Sequence, residues 1–270
     1  MFIKIASEMH HLLKIILIVT TLTFISNNTN AQPVIINRSA DFIEVDNQGN
    51  IYTVKDYNLI KYNNKGKILF KYSDRINGNI SSVDVTNPLR ILVFFKESNV
   101  IVFLDWQLLP ISDPVSIFDN INIEADAVCT SSTGNCWIYA GICGCITLYN
   151  KSWENIQQTE NLSDGINGNK IMFIRENNQH LYLGLSDRVL VFDIFGYYLT
   201  TIHLKNADNI KFANNYISYV KNNNLFIFNI QTKQENIIKT EIIPNQKIFF
   251  TNNRIYKSMN DSILIYQIEK

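Results

Sequence analysis

Six times along this chain a short apolar run closes on Tyr, Phe or Leu and is followed at once by Asn, Asp or Gln. The copies are Leu59-Ile60-Lys61-Tyr62-Asn63, Val102-Phe103-Leu104-Asp105, Ile146-Thr147-Leu148-Tyr149-Asn150, Val189-Leu190-Val191-Phe192-Asp193, Leu225-Phe226-Ile227-Phe228-Asn229 and Leu264-Ile265-Tyr266-Gln267. Successive copies lie roughly 36 to 45 residues apart. A unit of that size cannot bury its own apolar face and must stack on its neighbours. In a chain of short strands, this period is that of propeller blades.

Each copy follows a hairpin-like unit. In the first, residues 42–46 and 51–54 flank a turn at Asn47-Gln48-Gly49-Asn50; in the fourth, residues 171–175 and 181–183 flank one at Glu176-Asn177-Asn178-Gln179. In the sixth, residues 248–250 and 255–256 flank Asn252-Asn253. Short apolar runs bounded by Gly, Asn and Asp read as strands and hairpins. The second copy carries Asn87-Pro88 in its turn, where Pro removes no ladder hydrogen bond. No long run of helical period stands outside the first 31 residues. A fourth strand follows most copies, as at residues 67–71 and 198–202, but the sixth copy has none before Lys270. Residues 34–37 are a spare strand, and an open ring would leave two unpaired sheet edges. The expected fold is therefore an all-β, six-bladed β-propeller over residues 32–270, its last blade closed by the mature N-terminal strand. A β-sandwich also offers many short strands, but does not account for one missing strand matched by one spare.

Residues 1–31 read as a signal peptide. Lys14 ends a basic region, residues 15–25 are apolar but too short to span a bilayer, and Thr29-Asn30-Ala31 offers small residues for cleavage before Gln32. The expected location is outside the cytoplasm, in the periplasm or at the cell surface, with no membrane span after cleavage. Removing the leader takes Lys4, Lys14 and Glu8 and leaves 22 basic against 23 acidic residues. That balance gives nucleic acid and anionic membranes no electrostatic handle. Asn is abundant, and Asn tolerates the positive φ that turns require.

Four cysteines lie close together: Cys129, Cys136, Cys143 and Cys145. Export places them where disulfides persist. Cys129 and Cys136 flank Ser131-Ser132-Thr133-Gly134 as if across a hairpin, and four cysteines allow three pairings, all open at this point. A zinc site is disfavoured because two Cys-x-x-Cys pairs are missing.

Ser186-Asp187-Arg188-Val189-Leu190-Val191-Phe192-Asp193-Ile194-Phe195-Gly196-Tyr197 resembles the core of an NHL-type repeat, as does Asp46-Asn47-Gln48-Gly49-Asn50-Ile51-Tyr52 followed by residues 59–66. Asn161-Leu162-Ser163-Asp164-Gly165-Ile166-Asn167-Gly168-Asn169-Lys170-Ile171 is similar to the linker that opens each blade in two-component-regulator propellers, and residues 73–80 form a degenerate second copy. With its Ala-Gln cleavage site and Asn richness, the pattern resembles exported envelope propellers of Bacteroidetes. The resemblance implies a scaffold or binding surface and specifies architecture only.

Candidate chemistry is sparse. Of four histidines, His10 and His11 fall in the leader, and the two that remain, His180 and His203, cannot form a three-His metal site. Asp46, Asp84, Asp126 and Glu176 stand near the ends of expected first strands and are candidates to share one face of the central funnel, where carboxylates hold Ca²⁺ or act as acid and base. The competing reading is that each caps a turn through its own backbone, as Asn214 and Asn252 would in the fifth and sixth blades. No nucleophile elbow, phosphate-binding Gly loop, H-E-x-x-H or EF-hand loop is present. Trp106 and Trp153 follow third strands and are candidates for exposure, whereas Trp137 reads as blade core. Asn37-Arg38-Ser39, Asn161-Leu162-Ser163 and Asp261-Ser262-Ile263 match short glycosylation motifs. The expected function is a non-enzymatic binding or scaffold propeller of the cell envelope, without a cofactor, with a protein or glycan as partner. The alternative is a divergent Ca²⁺-dependent hydrolase, lactonase or lyase.

Overall fold

The computed structural model describes residues 32–268 apart from 167, 244 and 245; the expected signal peptide, residues 1–31, lies outside the described residues. After β1 (Val34–Ile36), the chain forms six antiparallel four-stranded units in sequence. Blade 1 is β2 (Phe42–Val45), β3 (Ile51–Lys55), β4 (Asn58–Tyr62) and β5 (Ile68–Ser73). Blade 2 is β6 (Ser82–Asp84), β7 (Ile91–Phe95), β8 (Val100–Leu104) and β9 (Val115–Ser116). Blade 3 is β10 (Ala127–Thr130), β11 (Cys136–Ala140), β12 (Cys145–Tyr149) and β13 (Asn155–Gln158). Blade 4 is β14 (Ile171–Asn177), β15 (His180–Leu185), β16 (Arg188–Asp193) and β17 (Tyr198–His203). Blade 5 is β18 (Asp208–Ala213), β19 (Tyr216–Lys221), β20 (Asn224–Asn229) and β21 (Glu235–Ile238). Blade 6 is β22 (Lys247–Thr251), β23 (Arg254–Ser258) and β24 (Ile263–Gln267), and β1 supplies its fourth strand. Two short helices sit in connections: α1 (Ile117–Ile121), capped by Ser116, and α2 (Ser163–Ile166).

The ring closes as expected from the sequence. Val34, Ile35 and Ile36 pair with Ile265, Leu264 and Ile263. The closing strand also rests on the β4–β5 turn: Gly66 has φ +78°, and a Cβ there would stand 2.9 Å from Val34 Cγ1. The core is equally circular. Apolar side chains form six clusters, and each lies between two adjacent blades. Tyr52, Val54 and Leu59 of blade 1 pack on Val83, Ile91 and Val93 of blade 2; at the seam, Val45, Ile51 and Tyr62 pack on Phe249, Tyr256 and Ile265 of blade 6. The middle strands are buried on both faces, as in β7 and β11, while β5, β13, β17 and β21 are largely exposed.

The Asn or Asp that closes the third strand in blades 1 to 4 has a physical role. Asp105 Oδ1 accepts from the backbone N–H of Gln107 at 2.8 Å and Leu109 at 2.9 Å. Asp193 does the same for Phe195 and Tyr197, Asn150 for Ser152 and Glu154, and Asn63 for Lys65 and Lys67. Each side chain thus supplies the acceptors that close a third-to-fourth-strand turn. Asn abundance is structural as well. Ten of the fifteen non-glycine residues with positive φ among those described are Asn, including the turn pairs Asn222-Asn223 and Asn252-Asn253. In blade 4 the turn is tighter than the sequence implied. Asn178 and Gln179 both take positive φ, so β14 runs on to Asn177 and β15 begins at His180.

Candidate functional site

First strands run in the same sense around the central channel, and those of blades 2 to 6 contact one another in succession. The channel therefore opens on two different faces. On the turn face the first strands end and the first-to-second and third-to-fourth hairpin turns lie. On the linker face lie the second-to-third turns and the segments that join blades.

Asp46, Asp84 and Glu176 stand on the turn face, and each directs both carboxylate oxygens into the protein. Asp46 Oδ1 accepts from the N–H of Gln48 and Asn50, and Oδ2 from Asn50 Nδ2 and the buried Tyr52 hydroxyl. Asp84 Oδ1 accepts from Thr86 N–H at 3.0 Å, and Oδ2 takes both the N–H and the hydroxyl of Thr130 at 2.8 Å across the blade 2–3 junction. Glu176 takes Ser132 N–H at 2.9 Å and Trp137 Nε1 at 2.6 Å across the blade 3–4 junction. The amides continue this belt. Asn177 donates to Asn214 O, Asn214 to Thr251 Oγ1 and Asn252 to Asp46 O. Among the described residues the blade 1–2 junction uses a different device, the Lys61 ammonium donating to Trp106 O at 2.9 Å.

Asp126 does not share that face. It precedes β10, on the linker face, where it pairs with Lys96 at 2.8 Å and accepts from Gly141 N–H. The placement follows from strand direction: Asp46, Asp84 and Glu176 come at the ends of first strands, Asp126 at the start of one. The expected four-carboxylate funnel face is therefore three residues on one side and one on the other. Among the described residues, no three His, Cys, Asp or Glu side chains come together as a metal-binding group. His180 contacts the carbonyl of Asn178 at the blade 4 turn, and His203 is exposed at the end of β17.

What occupies the channel is an ion cluster that the sequence reading missed. Arg175 of β14 reaches to blades 1 and 2: Nη2 lies 3.2 Å from Glu44 Oε1 and donates to Val83 O at 2.8 Å. Lys211 of β18 donates to the same Glu44 oxygen at 2.5 Å. Glu44 and Arg175 are buried, with side chains less than a tenth exposed. Burial alone would raise the Asp84 carboxyl, but the Arg175 charge and the Thr86 and Thr130 hydrogen bonds outweigh it and hold it below the ordinary range. Burial disfavours the Arg175 cation, and Asp84 and Glu44 more than restore it. Burial lowers the Lys211 ammonium against the opposing pull of Glu44. The available signal was a charge set among the apolar residues of three first strands: Glu44 in FIEV, Arg175 in IMFIREN and Lys211 in DNIKFA.

Above this cluster, on the linker face, a cavity of about 370 Å³ opens between Phe42, Phe94, Ile171, Phe173, Ile210 and Phe212.

The cysteines resolve into one disulfide, Cys143–Cys145, in the β11–β12 turn, and two buried thiols, Cys129 and Cys136. The hairpin pairing of Cys129 with Cys136 is overturned by register. Cys129 stands opposite Trp137 and Cys136 opposite Thr130, so the two sulfurs project from opposite faces of the sheet into different clusters. Burial raises both thiols, Cys136 to about 12, which leaves them protonated and unreactive. Trp106 is half exposed, its ring edge-on to Phe70; Trp153 is partly buried against the blade 2–3 cluster. Trp137 is core.

No protein-family model matches the chain, and no curated protein matches it in sequence. Solved structures match it in fold. Virginiamycin B lyase from Staphylococcus aureus superposes with a TM-score of 0.55 at 12% identity, covering 84% of this chain and 94% of that one. The Neurospora crassa Pan2 WD40 domain gives 0.59 at 7% identity, covering 86% and 90%. The extracellular domain of a hybrid two-component system from B. thetaiotaomicron gives 0.53 at 13% identity, covering 83% of this chain and 33% of that one. At these identities the likeness is one of fold. Among the described residues no helix is long and apolar enough to cross a membrane.

Proposed function

We propose that this chain is a non-enzymatic binding or scaffold propeller of the bacterial cell envelope, exported by its leader and presenting its outer edge to a protein or glycan partner. The observation that carries this reading is the engagement of the carboxylates. Asp46, Asp84 and Glu176 accept hydrogen bonds from their own chain on both oxygens. A general base or a Ca²⁺ ligand must instead aim an oxygen at a shared cavity, and none of the three lines the funnel. These residues serve ring rigidity, which suits a platform whose specificity resides in loops and edges. A dock is at hand on the rim of blades 3 and 4. Ile156, Phe195, Tyr197, Tyr198 and Leu199 are exposed there, and Gln157 ties the two blades by donating to Ile194 O at 2.7 Å. Exposed aromatic clusters of this kind anchor protein interfaces.

The test has two parts. Crosslinking to envelope proteins and binding to an envelope glycan array are compared between the wild type and a Phe195→Ser/Tyr197→Ser variant, with loss of the retained partner expected at unchanged thermal stability. Substrate turnover that disappears on Asp46→Ala or Asp84→Ala, in protein that still folds, sinks the reading.

A further inference from the structure

The linker-face mouth of the channel differs in charge from the rest of this neutral chain. The 370 Å³ cavity shares Phe42, Met172, Ile210 and Lys211 with a neighbouring one of about 230 Å³ that reaches Ile248 and Phe249. Five cations line the two: Lys96, Lys170, Arg175, Lys211 and Lys247, against the acids Glu44 and Asp126. Lys96 and Asp126 neutralise each other. Glu44 and the buried Asp84 behind Arg175 answer two of the remaining four cations, so two positive charges stand in excess. Asp41, the further acid near Lys247, is paired with Lys55 and offers Lys247 its backbone oxygen.

The excess is concentrated on consecutive blades. Lys170 precedes β14, Lys211 lies in β18 and Lys247 begins β22, and Lys170 and Lys247 are exposed. Lys211 and Lys247 repel one another across the mouth. An ammonium has three donors, and the hydrogen bond of Lys211 to Glu44 leaves others for the cavity, toward which its side chain is 22% exposed. An anion seated between these lysines would relieve that repulsion. The walls around them are apolar, with the Phe249 ring 5.8 Å from the Lys211 ammonium. The guanidinium of Arg175 is occupied by Ile174 O, Val83 O and Glu44, so no free fork is offered to a phosphate. Ammonium point charges beside an apolar wall suit a single carboxylate on an apolar body.

We infer that the linker-face mouth of the channel binds an amphipathic carboxylate, its head held by Lys170, Lys211 and Lys247 and its apolar body lying on Phe42, Ile210 and Phe249. The cavity falls within the ~300–1,000 Å³ usual for small-ligand sites. The site is separate from the aromatic rim of blades 3 and 4, so it stands or falls apart from the partner docked there.

Titration calorimetry of the purified protein with octanoate, octylamine and acetate tests it. Octanoate is expected to bind at least tenfold more tightly than either of the others. Equal affinity for octylamine overturns the charge argument, equal affinity for acetate overturns the apolar argument, and no octanoate binding overturns the site. Lys170→Ser/Lys247→Ser is expected to weaken octanoate at least tenfold, Lys211→Met to weaken it further, and Lys151→Ser on the turn face to leave it unchanged. Should Lys211→Met fail to fold, the double variant decides, because both of its lysines are on the surface; octanoate affinity that survives it overturns the proposal. Phe195→Ser/Tyr197→Ser is expected to retain octanoate binding, which keeps the two sites distinguishable.

Discussion

The two faces of the ring use the same kinds of residue to opposite ends. On the turn face, polar side chains meet internal donors and acceptors at short range: Asp46, Asp84 and Glu176 are saturated, and the Asn belt links blade to blade. On the linker face, Lys170 and Lys247 project beside apolar walls, and the one acid near Lys247, Asp41, is ion-paired with Lys55. The difference teaches where to look for function in a rigid ring. Saturated polar groups report on assembly, and unsaturated charge beside an apolar cavity reports on a ligand. The ion cluster of Glu44, Arg175 and Lys211 is the boundary between the two.

That boundary should be the most sensitive place in the molecule. Arg175→Met removes the cation that joins blade 4 to blades 1 and 2 and leaves Glu44 with Lys211 alone and Asp84 without a countercharge. Breaking a buried pair from one side costs about 3–5 kcal/mol, and a loss of that size in urea unfolding is the expected result. A loss under about 1 kcal/mol, the range of an exposed pair, would show the cluster to be peripheral.

Next comes Asp84→Asn, on the turn-face side of the boundary. The substitution weakens a charged acceptor for Thr130 and a partner for Arg175 and should cost about 2 kcal/mol near neutral pH. The carboxyl of Asp84 is held below its ordinary range in the folded state. Its contribution is therefore complete above the unfolded value of about 3.9 and is lost as pH falls through the lower folded value. Stability curves of wild type and Asp84→Asn should converge as the pH drops below about 4, and curves that stay parallel through that range would assign the effect to packing.

The blades were legible because their determinants are local: the short strands, and the Asp or Asn two and four residues before the amides it accepts from, lie within a few residues of what they organise. Ring closure is long-range, residues 34–36 pairing with 263–265, and was legible only because one spare strand at the start matches one missing at the end. The disposition of Cys129 and Cys136 was not, because a one-residue difference in register turns a sulfur to the opposite face. The centre was hidden by sequence distance: Glu44 meets Arg175 and Lys211 from 131 and 167 residues away. The short helices α1 and α2 also escaped, being too brief for their period to show.

A smaller effect is expected at the turn caps. Asp193→Ala leaves the N–H groups of Phe195 and Tyr197 without their acceptor, but water reaches this exposed turn. The expected cost is about 1 kcal/mol, measured by chemical denaturation, with Asn63→Ala and Asn150→Ala alike because the same two bonds recur. A much larger loss at one of them would mark that turn as a nucleus of its blade.

Lys96→Ala should have the smallest effect, and it sharpens the contrast from the linker side. Lys96 meets Asp126 at 2.8 Å, as close as many buried pairs, yet the side chains are 51% and 37% exposed. Water screens their attraction, and fixing a long lysine offsets much of what remains, so such pairs contribute about 0–1 kcal/mol. Asp126 moreover keeps its bond from Gly141 N–H when the lysine is gone. Unfolding free energy should change by less than about 0.5 kcal/mol. The vacated ammonium also leaves Asp126 unneutralised beside the funnel, which lowers the excess positive charge at the mouth by one. Octanoate affinity should therefore fall modestly while stability holds. If stability falls and affinity holds, the pair belongs with the saturated structural contacts of the opposite face.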